Sequence, residues 1–156
     1  MKLKELGYKF SYKDINKGIV KTKWPGRLEI GKLGKINVYL DGAHNIDGAS
    51  QLLRYFQKEN IKVWLIIGML RNKDLYGFLN KIRTIINGVI AVEIPNEKNC
   101  YLSKEILDVC NKLNLICFSK KSVTVANNFL IKNIKPKNIL ISGSLYLIGK
   151  VRNRYL

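Results

Sequence analysis

The sequence predicts an α/β protein built on an open, doubly wound sheet that is mostly parallel and has helices on both faces. From residue 36 onward, short apolar runs rich in Val and Ile alternate with amphipathic stretches of helical spacing. The runs are apolar throughout, as is typical of strands that are covered on both faces and joined by helical crossovers. The repeated order of strand and helix therefore favours a Rossmann-like arrangement.

Five strands separated by four helices are expected, in chain order. The apolar runs place the strands at residues 36–40, 63–67, 89–94, 115–118 and 139–141. Apolar side chains at helical spacing place the helices around residues 49–56, 75–82, 102–113 and 123–130. Residues 1–23 lie outside this pattern, because they are rich in lysine and offer only one short helical stretch, at residues 12–20, without an apolar partner. We interpret residues 1–23 as a linker or the remnant of a preceding domain, and residues 24–156 as one domain.

The composition favours a folded protein over a disordered or membrane-spanning one. The chain carries 28 basic and 11 acidic residues, a formal charge of +17 on 156 residues, and 47% hydrophobic residues, too many for a disordered basic tail. The longest apolar run, residues 63–70, is far shorter than the roughly 20 residues of a membrane helix. Residues 1–10 lack the apolar stretch of a signal peptide. We therefore expect a cytoplasmic protein with no membrane partner.

The basic excess raises the question of nucleic-acid binding. Lysines outnumber arginines 22 to 6 and are spread from Lys2 to Lys150, whereas phosphate forks and base recognition favour clustered arginine. The spread of the lysines argues against direct nucleic-acid binding, although a diffuse positive field would still concentrate small anions near the surface. The alternative that stays open is a non-catalytic, basic α/β module that binds an anionic partner, nucleic acid included.

The cysteines and the single histidine do not form a recognisable metal or disulfide pattern. Cys100, Cys110, Cys117 and His44 lack the spacing of a zinc site or of a disulfide framework. We expect no metal site of this kind and reduced thiols that pack as small apolar side chains.

Polar residues follow the expected strands at their carboxyl ends, where the ligands of open α/β sheets bind. The strands lead into Asp41-Gly42-Ala43-His44-Asn45, into Gly68 and Asn72-Lys73-Asp74, and into Ser142-Gly143-Ser144. A carboxylate at Asp41 can accept hydrogen bonds from ribose hydroxyls, and His44 precedes a helix for which Asp47 is a plausible N-cap. An interpretation of equal weight makes Asp41 and Asn45 turn formers and His44 a surface residue. A role of Asp74 as a helix cap is favoured over a contact to substrate by either Lys73 or Asp74.

A further candidate lies just before the first strand. Trp24-Pro25-Gly26-Arg27-Leu28-Glu29 combines an aromatic side chain, a stiff turn and an arginine. The turn could aim the Arg27 guanidinium at a phosphate or carboxylate, or it could be an interdomain turn with Trp24 as a packing anchor. The sequence contains no Gly-x-x-x-x-Gly-Lys-Ser/Thr, Gly-x-Gly-x-x-Gly or Gly-x-Ser-x-Gly motif, so the familiar phosphate loops and the nucleophile elbow do not describe it.

Taken together, these segments resemble the C-terminal domain of folylpolyglutamate synthase and dihydrofolate synthase, members of the Mur ligase superfamily. The segments are Trp24-Pro25-Gly26-Arg27-Leu28-Glu29, Asp41-Gly42-Ala43-His44-Asn45, Gly68 with Lys73-Asp74, and Ser142-Gly143-Ser144-Leu145-Tyr146. Their order and approximate spacing agree with that family over residues 24 to about 152. The resemblance implies a fold of the Mur ligase C-terminal domain type. It also implies an ATP-dependent ligation of L-glutamate to a pteroate or folate carboxylate through an acyl phosphate.

The resemblance also assigns roles to individual residues. Arg27 and Asp41 match positions that help to hold ATP, the arginine near the phosphates and the aspartate on the ribose side. His44 and Ser144 match positions associated with the incoming glutamate. ATP, magnesium, L-glutamate and folate or dihydropteroate are therefore the expected ligands of the complete enzyme, while no catalytic residue and no magnesium ligand is assigned to this chain.

Two departures from the family limit what this polypeptide is expected to do. Ile46 stands where family members usually have proline, which loosens the turn without removing a contact group. The family's N-terminal ATPase domain, with its phosphate loop and magnesium ligands, has no counterpart in residues 1–156. We therefore expect no ligase activity from this polypeptide alone. It would be the product of a split or decayed gene, or would act beside a separately encoded ATPase domain.

Overall fold

A computed structural model describes residues 2–22 and 24–156 of the chain. Met1 and Lys23, which belong to the predicted linker, lie outside the described residues. Within the described ranges the chain forms a mixed sheet of six strands in the order β1-β2-β6-β3-β4-β5. The strands are β1 Glu29–Leu33, β2 Ile36–Leu40, β3 Val63–Ile67, β4 Ile86–Ala91, β5 Cys117–Ser119 and β6 Asn138–Ser142. All neighbouring pairs are parallel except β1 with β2, which is antiparallel.

Helices cover both faces of this sheet, as the sequence predicts. The covering helices are α3 Ile46–Lys58, α4 Leu75–Ile82, α5 Ser103–Lys112, α6 Val123–Phe129 and α7 Leu145–Val151, and two further helices, α1 Lys2–Glu5 and α2 Tyr12–Lys21, precede the sheet in the sequence. The buried side chains of α3, α4 and α5 belong to one apolar cluster, and those of α6 and α7 belong to a second cluster. Because the central strands contribute residues to both clusters, they are apolar throughout. The predicted doubly wound α/β fold is confirmed.

The predicted boundaries match the structure for β2 and β3 and differ from it for β4, β5 and β6. β2 and β3 begin and end where the apolar runs do. The run predicted at 89–94 continues past β4, which ends at Ala91, because Val92 still donates its N–H to the Ile67 carbonyl and Ile94 is buried in the loop that follows. Edge strand β5 is shifted relative to the prediction at 115–118, since an edge strand has fewer buried positions to mark it.

The sequence analysis missed β1. Its residues, Glu-Ile-Gly-Lys-Leu, include two charged side chains and a glycine, which weaken the strand signal. Pairing stabilises β1 instead: it forms a hairpin with β2 and lies against the end of the chain, where Lys32 donates its N–H to the Tyr155 carbonyl at 3.1 Å. A Cβ on Gly31 would lie 2.2 Å from the same carbonyl oxygen, so only glycine allows this approach.

The first residues differ from the rest, as expected. Helix α2 begins with a capping box at Ser11, whose hydroxyl accepts from the Asp14 N–H, yet none of its residues is buried. The assignment of residues 1–23 as a linker or remnant stays a prediction.

The cysteine and membrane expectations can be compared with the described residues. Cys100 and Cys110 are buried and Cys117 is half-buried, so the prediction that the cysteines pack as small apolar side chains is confirmed for Cys100 and Cys110. None of the described helices has the length and apolar character needed to cross a membrane.

Candidate functional site

The carboxyl ends of β2, β6 and β3 form the edge of the sheet that carries the candidate residues. Asp41 donates its N–H to the Ile141 carbonyl at 3.1 Å, and Gly143 donates its N–H to the Ala43 carbonyl at 2.9 Å. The Ser142 hydroxyl donates to the same Ala43 carbonyl at 3.2 Å. These bonds hold the loop after β2 and the loop after β6 side by side, so segments about 100 residues apart in sequence meet at one edge.

Gly143 brings the loop after β6 into close contact with the end of β3. Its φ is +103°, a left-handed conformation that favours glycine. A Cβ on Gly143 would lie 2.7 Å from the Gly68 carbonyl oxygen and 2.8 Å from Ile67 Cγ1. The loop after β6 therefore packs directly on the end of β3, and only a residue without a side chain fits there.

Asp41 is the most buried of the candidate site residues that carry a charge, with 8% of its surface exposed. Its Oδ1 accepts from the Ala43 N–H at 2.7 Å and its Oδ2 accepts from the Leu28 N–H at 2.8 Å. Burial raises the pKa of the carboxyl above its usual value, while the two N–H donors and the charges of Arg27 and His44 act in the opposite direction. Asp41 thus joins two loops and keeps a lone pair on each oxygen for a ligand.

The turn that carries Arg27 is fastened at three points. Gly26 donates its N–H to Glu29 Oε2 at 2.7 Å, and Gly42 donates its N–H to the Gly26 carbonyl at 2.7 Å. Leu28, whose φ is +44°, is held by its bond to Asp41. Arg27 itself is exposed and forms none of the ion pairs found among the described residues. Trp24 is 69% exposed, so it does not act as a packing anchor within the described part of the chain.

Arg27 and Asp41 line one small cavity. Its volume is about 200 Å³, and it is lined by Arg27, Leu28, Asp41, Ala43, Gly48, Gln51, Leu52 and Tyr55. The cavity combines one cation and one carboxylate with apolar walls from α3. It is smaller than the roughly 300 to 1,000 Å³ of a typical small-molecule site, so it can enclose only part of a nucleotide.

His44 and Ser144 line a second cavity, formed partly by the same loop after β2. Its volume is about 260 Å³, and it is lined by His44, Leu70, Asn72, Lys73, Gly143, Ser144, Leu145 and Tyr146. His44 Nδ1 lies 2.8 Å from the Gly42 carbonyl oxygen, to which it donates, so Nε2 carries the lone pair when the ring is neutral. The Ser144 hydroxyl oxygen accepts from the Tyr146 N–H at 3.1 Å and caps α7, which leaves its own proton free to donate.

Two helix caps at this edge test the sequence analysis. Asp74 caps α4 by accepting from the Gly77 N–H at 2.8 Å, as predicted. The prediction of Asp47 as the cap of α3 was wrong: Asn45 is the N-cap and accepts from the Gly48 N–H at 2.8 Å. The amide of Asn45 performs the same function two positions earlier, because the helix already begins at Ile46.

The sequence analysis gave Lys73 little weight as a contact to substrate. The structure places it, half-buried, in the wall of the cavity that contains His44 and Ser144. The signal that could have identified it is its place directly before Asp74, the cap of α4, in the loop that follows β3. Lys73 adds a cation to a cavity that already has a hydroxyl donor.

Glu29 makes the stability of the protein depend on pH. A bidentate bond from Arg152 and the N–H of Gly26 hold the pKa of Glu29 below its ordinary value. A carboxylate with a lowered folded-state pKa contributes stability above its unfolded pKa, about 4.3, and loses that contribution as the pH falls through the folded pKa. We expect Glu29→Gln to be less stable than the wild type at pH 7 and the difference to shrink below about pH 4. Urea unfolding at both pH values measures it, and a difference that does not change with pH would contradict it.

Comparison with known proteins finds relatives over most of the chain. The family described as "Dihydrofolate synthetase, C-terminal domain" matches residues 27–154. The "Dihydrofolate synthase/folylpolyglutamate synthase" of Bacillus subtilis is 30% identical over 149 residues, which covers 90% of this chain and 32% of the relative. The chain therefore spans about a third of the length of this curated relative.

Solved structures agree in fold. A structure titled "E.coli FolC in complex with DHPP and ADP" superposes with a TM-score of 0.79 at 24% identity, over 97% of this chain and 36% of that one. A bifunctional folylpolyglutamate synthase/dihydrofolate synthase "with Mn, AMPPNP and L-Glutamate bound" superposes with a TM-score of 0.75 at 20% identity, over 94% of this chain and 35% of that one. At these identities the superpositions establish the fold.

Proposed function

The chain belongs to the dihydrofolate synthetase C-terminal domain family, and on this premise we propose that it is the glutamate-binding part of an ATP-dependent folate ligase. The reaction adds L-glutamate to the carboxylate of a pteroate or folate. ATP phosphorylates that carboxylate and leaves as ADP, and the amino group of glutamate then attacks the acyl phosphate and displaces phosphate. We place this reaction in the cytoplasm.

The observation that carries the proposal is the pairing of the four candidate residues in two cavities at one edge of the sheet. Arg27 and Asp41 line the first cavity, and His44 and Ser144 line the second. One loop, residues 41–45, contributes to both, so a nucleotide in the first and an amino acid in the second would lie on either side of it. One solved structure of similar fold carries ADP and another carries AMPPNP with L-glutamate, and these are the ligand classes that the proposal assigns to the two cavities.

In the first cavity, we assign Arg27 to the phosphates of ATP and Asp41 to its ribose. The Arg27 guanidinium is exposed and takes part in neither ion pair of the described residues. It can therefore donate two charge-assisted hydrogen bonds to a phosphate. The free lone pairs of Asp41 can accept from ribose hydroxyls while its other lone pairs hold Leu28 and Ala43.

In the second cavity, we assign the incoming glutamate to His44, Ser144 and Lys73. The Lys73 ammonium and the Ser144 hydroxyl can donate to carboxylates. His44 Nε2 can accept a hydrogen bond from the amino group of glutamate. This bond would orient the amino group so that the lone pair on its nitrogen is directed away from the imidazole ring. The positive charge of the chain favours all three ligands, because ATP, glutamate and a folate are anions.

The described residues do not fit a magnesium site. No group of three or more His, Cys, Asp or Glu side chains within residues 2–22 and 24–156 is placed to hold a metal ion. In our proposal the metal is bound by the ATP-binding part of the complete enzyme. The small volumes of both cavities support the same division, because each needs a second wall to enclose its ligand. These 156 residues alone should therefore not turn over.

Coexpression with a matching ATPase domain tests the proposal. We expect restored incorporation of labelled glutamate into dihydropteroate or a folate, with KM for ATP raised by Arg27→Ala and Asp41→Ala and KM for glutamate raised by His44→Ala and Ser144→Ala. Loss of one charge-assisted contact of about 2 kcal/mol predicts a rise of roughly thirtyfold for Arg27→Ala. Arg83→Ala is the matched control, since Arg83 is also exposed but precedes β4 at the opposite edge.

Two results would contradict the proposal. Unchanged kinetics in all four variants would remove the site assignment. Salt-sensitive binding of DNA or RNA by the chain, without any complementation, would instead favour the basic, non-catalytic module.

A further inference from the structure

We propose that Arg152 is a positioning residue that keeps Arg27 available for its anionic ligand, and that it acts through Glu29. This inference rests on the proposed function for the identity of the ligand, but the contacts that carry it are independent of that function. Arg152 directly follows α7 and lies 123 residues from Glu29 in sequence.

Glu29 forms two kinds of contact at once. Arg152 binds it in bidentate fashion, with Nε 2.8 Å from Oε2 and a terminal guanidinium nitrogen 2.7 Å from Oε1. Oε2 of the same carboxylate accepts the Gly26 N–H at 2.7 Å. The Glu29 side chain is 20% exposed and that of Arg152 is 35% exposed, so the pair is partly shielded from water. Arg152 therefore holds the Glu29 carboxylate in place, and that carboxylate in turn holds the turn that carries Arg27.

The Arg152–Glu29 ion pair affects Arg27 because Glu29 lies close to Arg27 in the sequence. Glu29 follows Arg27 by two residues in the same turn. Without Arg152, the Glu29 carboxylate would be free to pair with the Arg27 guanidinium and would then compete with a phosphate for it. Arg152 already occupies both Glu29 oxygens, so Arg27 stays outside the ion pair and exposed. The burial of the pair and its bidentate geometry give Arg152 the advantage over a solvated Arg27.

Helix α7 connects the Arg152–Glu29 ion pair to the rest of the site. Its N-cap, Ser144, lies in the second cavity, and Arg152 lies at its other end beside the turn. The turn rests on the helix, since a Cβ on Gly26 would lie 3.1 Å from Leu145 Cδ2. One short element thus lines the second cavity and packs on the turn that carries Arg27. A shift of α7 would alter the binding of both ligands.

The second ion pair of the described residues provides a matched control. Arg71 also binds a glutamate, Glu105, through two hydrogen bonds of 2.7 Å. That glutamate accepts a backbone N–H as well, from Leu102 at 2.7 Å. The two pairs therefore share their chemistry, but neither Arg71 nor Glu105 lines the cavity that contains Arg27.

The test compares single and double variants of the 156-residue chain. In Arg152→Ala, we expect amide hydrogen exchange at Gly26 to accelerate about tenfold, because its acceptor is no longer held. A chemical-shift titration with ADP should give a dissociation constant about tenfold weaker than that of the wild type. Arg71→Ala should change neither value, and Arg152→Lys, which keeps the charge without the fork, should fall between.

The double variant separates competition from loss of structure. In Arg152→Ala/Glu29→Gln the competing charge is gone, and we expect ADP affinity to return to within about threefold of the wild type, although the ion pair is still absent. Unchanged Gly26 exchange in Arg152→Ala would overturn the proposal. So would a double variant that binds ADP as weakly as Arg152→Ala. The wild type could bind no ADP while Gly26 exchange still accelerates in Arg152→Ala. That result would support the positioning of the turn by Arg152 and Glu29, and it would contradict the nucleotide assignment of the proposed function.

Discussion

Gly143→Ala is expected to lower the free energy of unfolding by about 3 kcal/mol. A φ of +103° is strained for an L-residue, which costs about 1 to 2 kcal/mol, and a Cβ 2.7 Å from a backbone carbonyl oxygen adds about 1 to 3 kcal/mol of overpacking. The carbonyl belongs to Gly68 at the end of β3 and cannot rotate away as a side chain could. Urea unfolding followed by tryptophan fluorescence measures the loss as a lower midpoint at constant slope.

Gly149→Ala is the control for this substitution. Gly149 lies in α7, and a Cβ there would meet nothing within 4 Å. Alanine in an open helical position should stabilise the protein by about 0.5 to 1 kcal/mol. Substitution by alanine at two glycines only six residues apart should thus change the free energy of unfolding in opposite directions. Equal effects at both positions would contradict the close approach of the loop after β6 to β3.

Asp41→Ala is expected to destabilise the protein by about 2 to 4 kcal/mol. The substitution leaves the N–H groups of Leu28 and Ala43 without acceptors, and an unsatisfied buried donor costs about 1 to 3 kcal/mol. The Leu28 N–H lies at a partly buried position, so the total falls below the upper limit for two buried donors. Thermal unfolding measures the loss, and Asp74→Ala, which removes an exposed helix cap, should cost only about 1 kcal/mol.

The conservative variant Asp41→Asn adds a dependence on pH. Burial raises the folded-state pKa of Asp41 above the unfolded value of about 3.9, so the folded protein takes up a proton first as the pH falls. The wild type should therefore gain stability relative to Asp41→Asn as the pH is lowered from neutral toward about 4. A constant difference over that range would mean that the carboxyl is not buried as the structure has it.

The parts of the fold that were predictable are those where burial is uniform. β2 and β3 are covered on both faces, so their apolar runs mark both ends of each strand. β1 was not predictable from its own residues, because its partners are β2 and the backbone of Tyr155, neither of which its composition reveals. A strand stabilised by pairing rather than by apolar content leaves a weak signal in the sequence.

The candidate site divides in the same way. The shared edge of Asp41, His44 and Ser144 follows from the rule that ligands bind at the carboxyl ends of parallel strands. The place of Arg27 does not, because Arg27 precedes β1 and reaches this edge only through the antiparallel pairing of β1 with β2. The partners of these side chains do not follow from that rule either. Asp41 accepts the N–H of Leu28, a residue in a left-handed conformation, and Glu29 pairs with Arg152 across 123 positions. Such contacts depend on backbone angles and on chain topology, which side-chain types at fixed spacings do not specify.

The backbone bond between Lys32 and Tyr155 has a consequence for association between molecules. An edge strand with open N–H and C=O groups is a template on which another chain can add a strand. The final residues of the chain occupy part of that template on β1. The opposite edge, β5, has only three residues. Strand addition, the common route from a native sheet to a fibre, therefore has little backbone to start from at either side of this molecule.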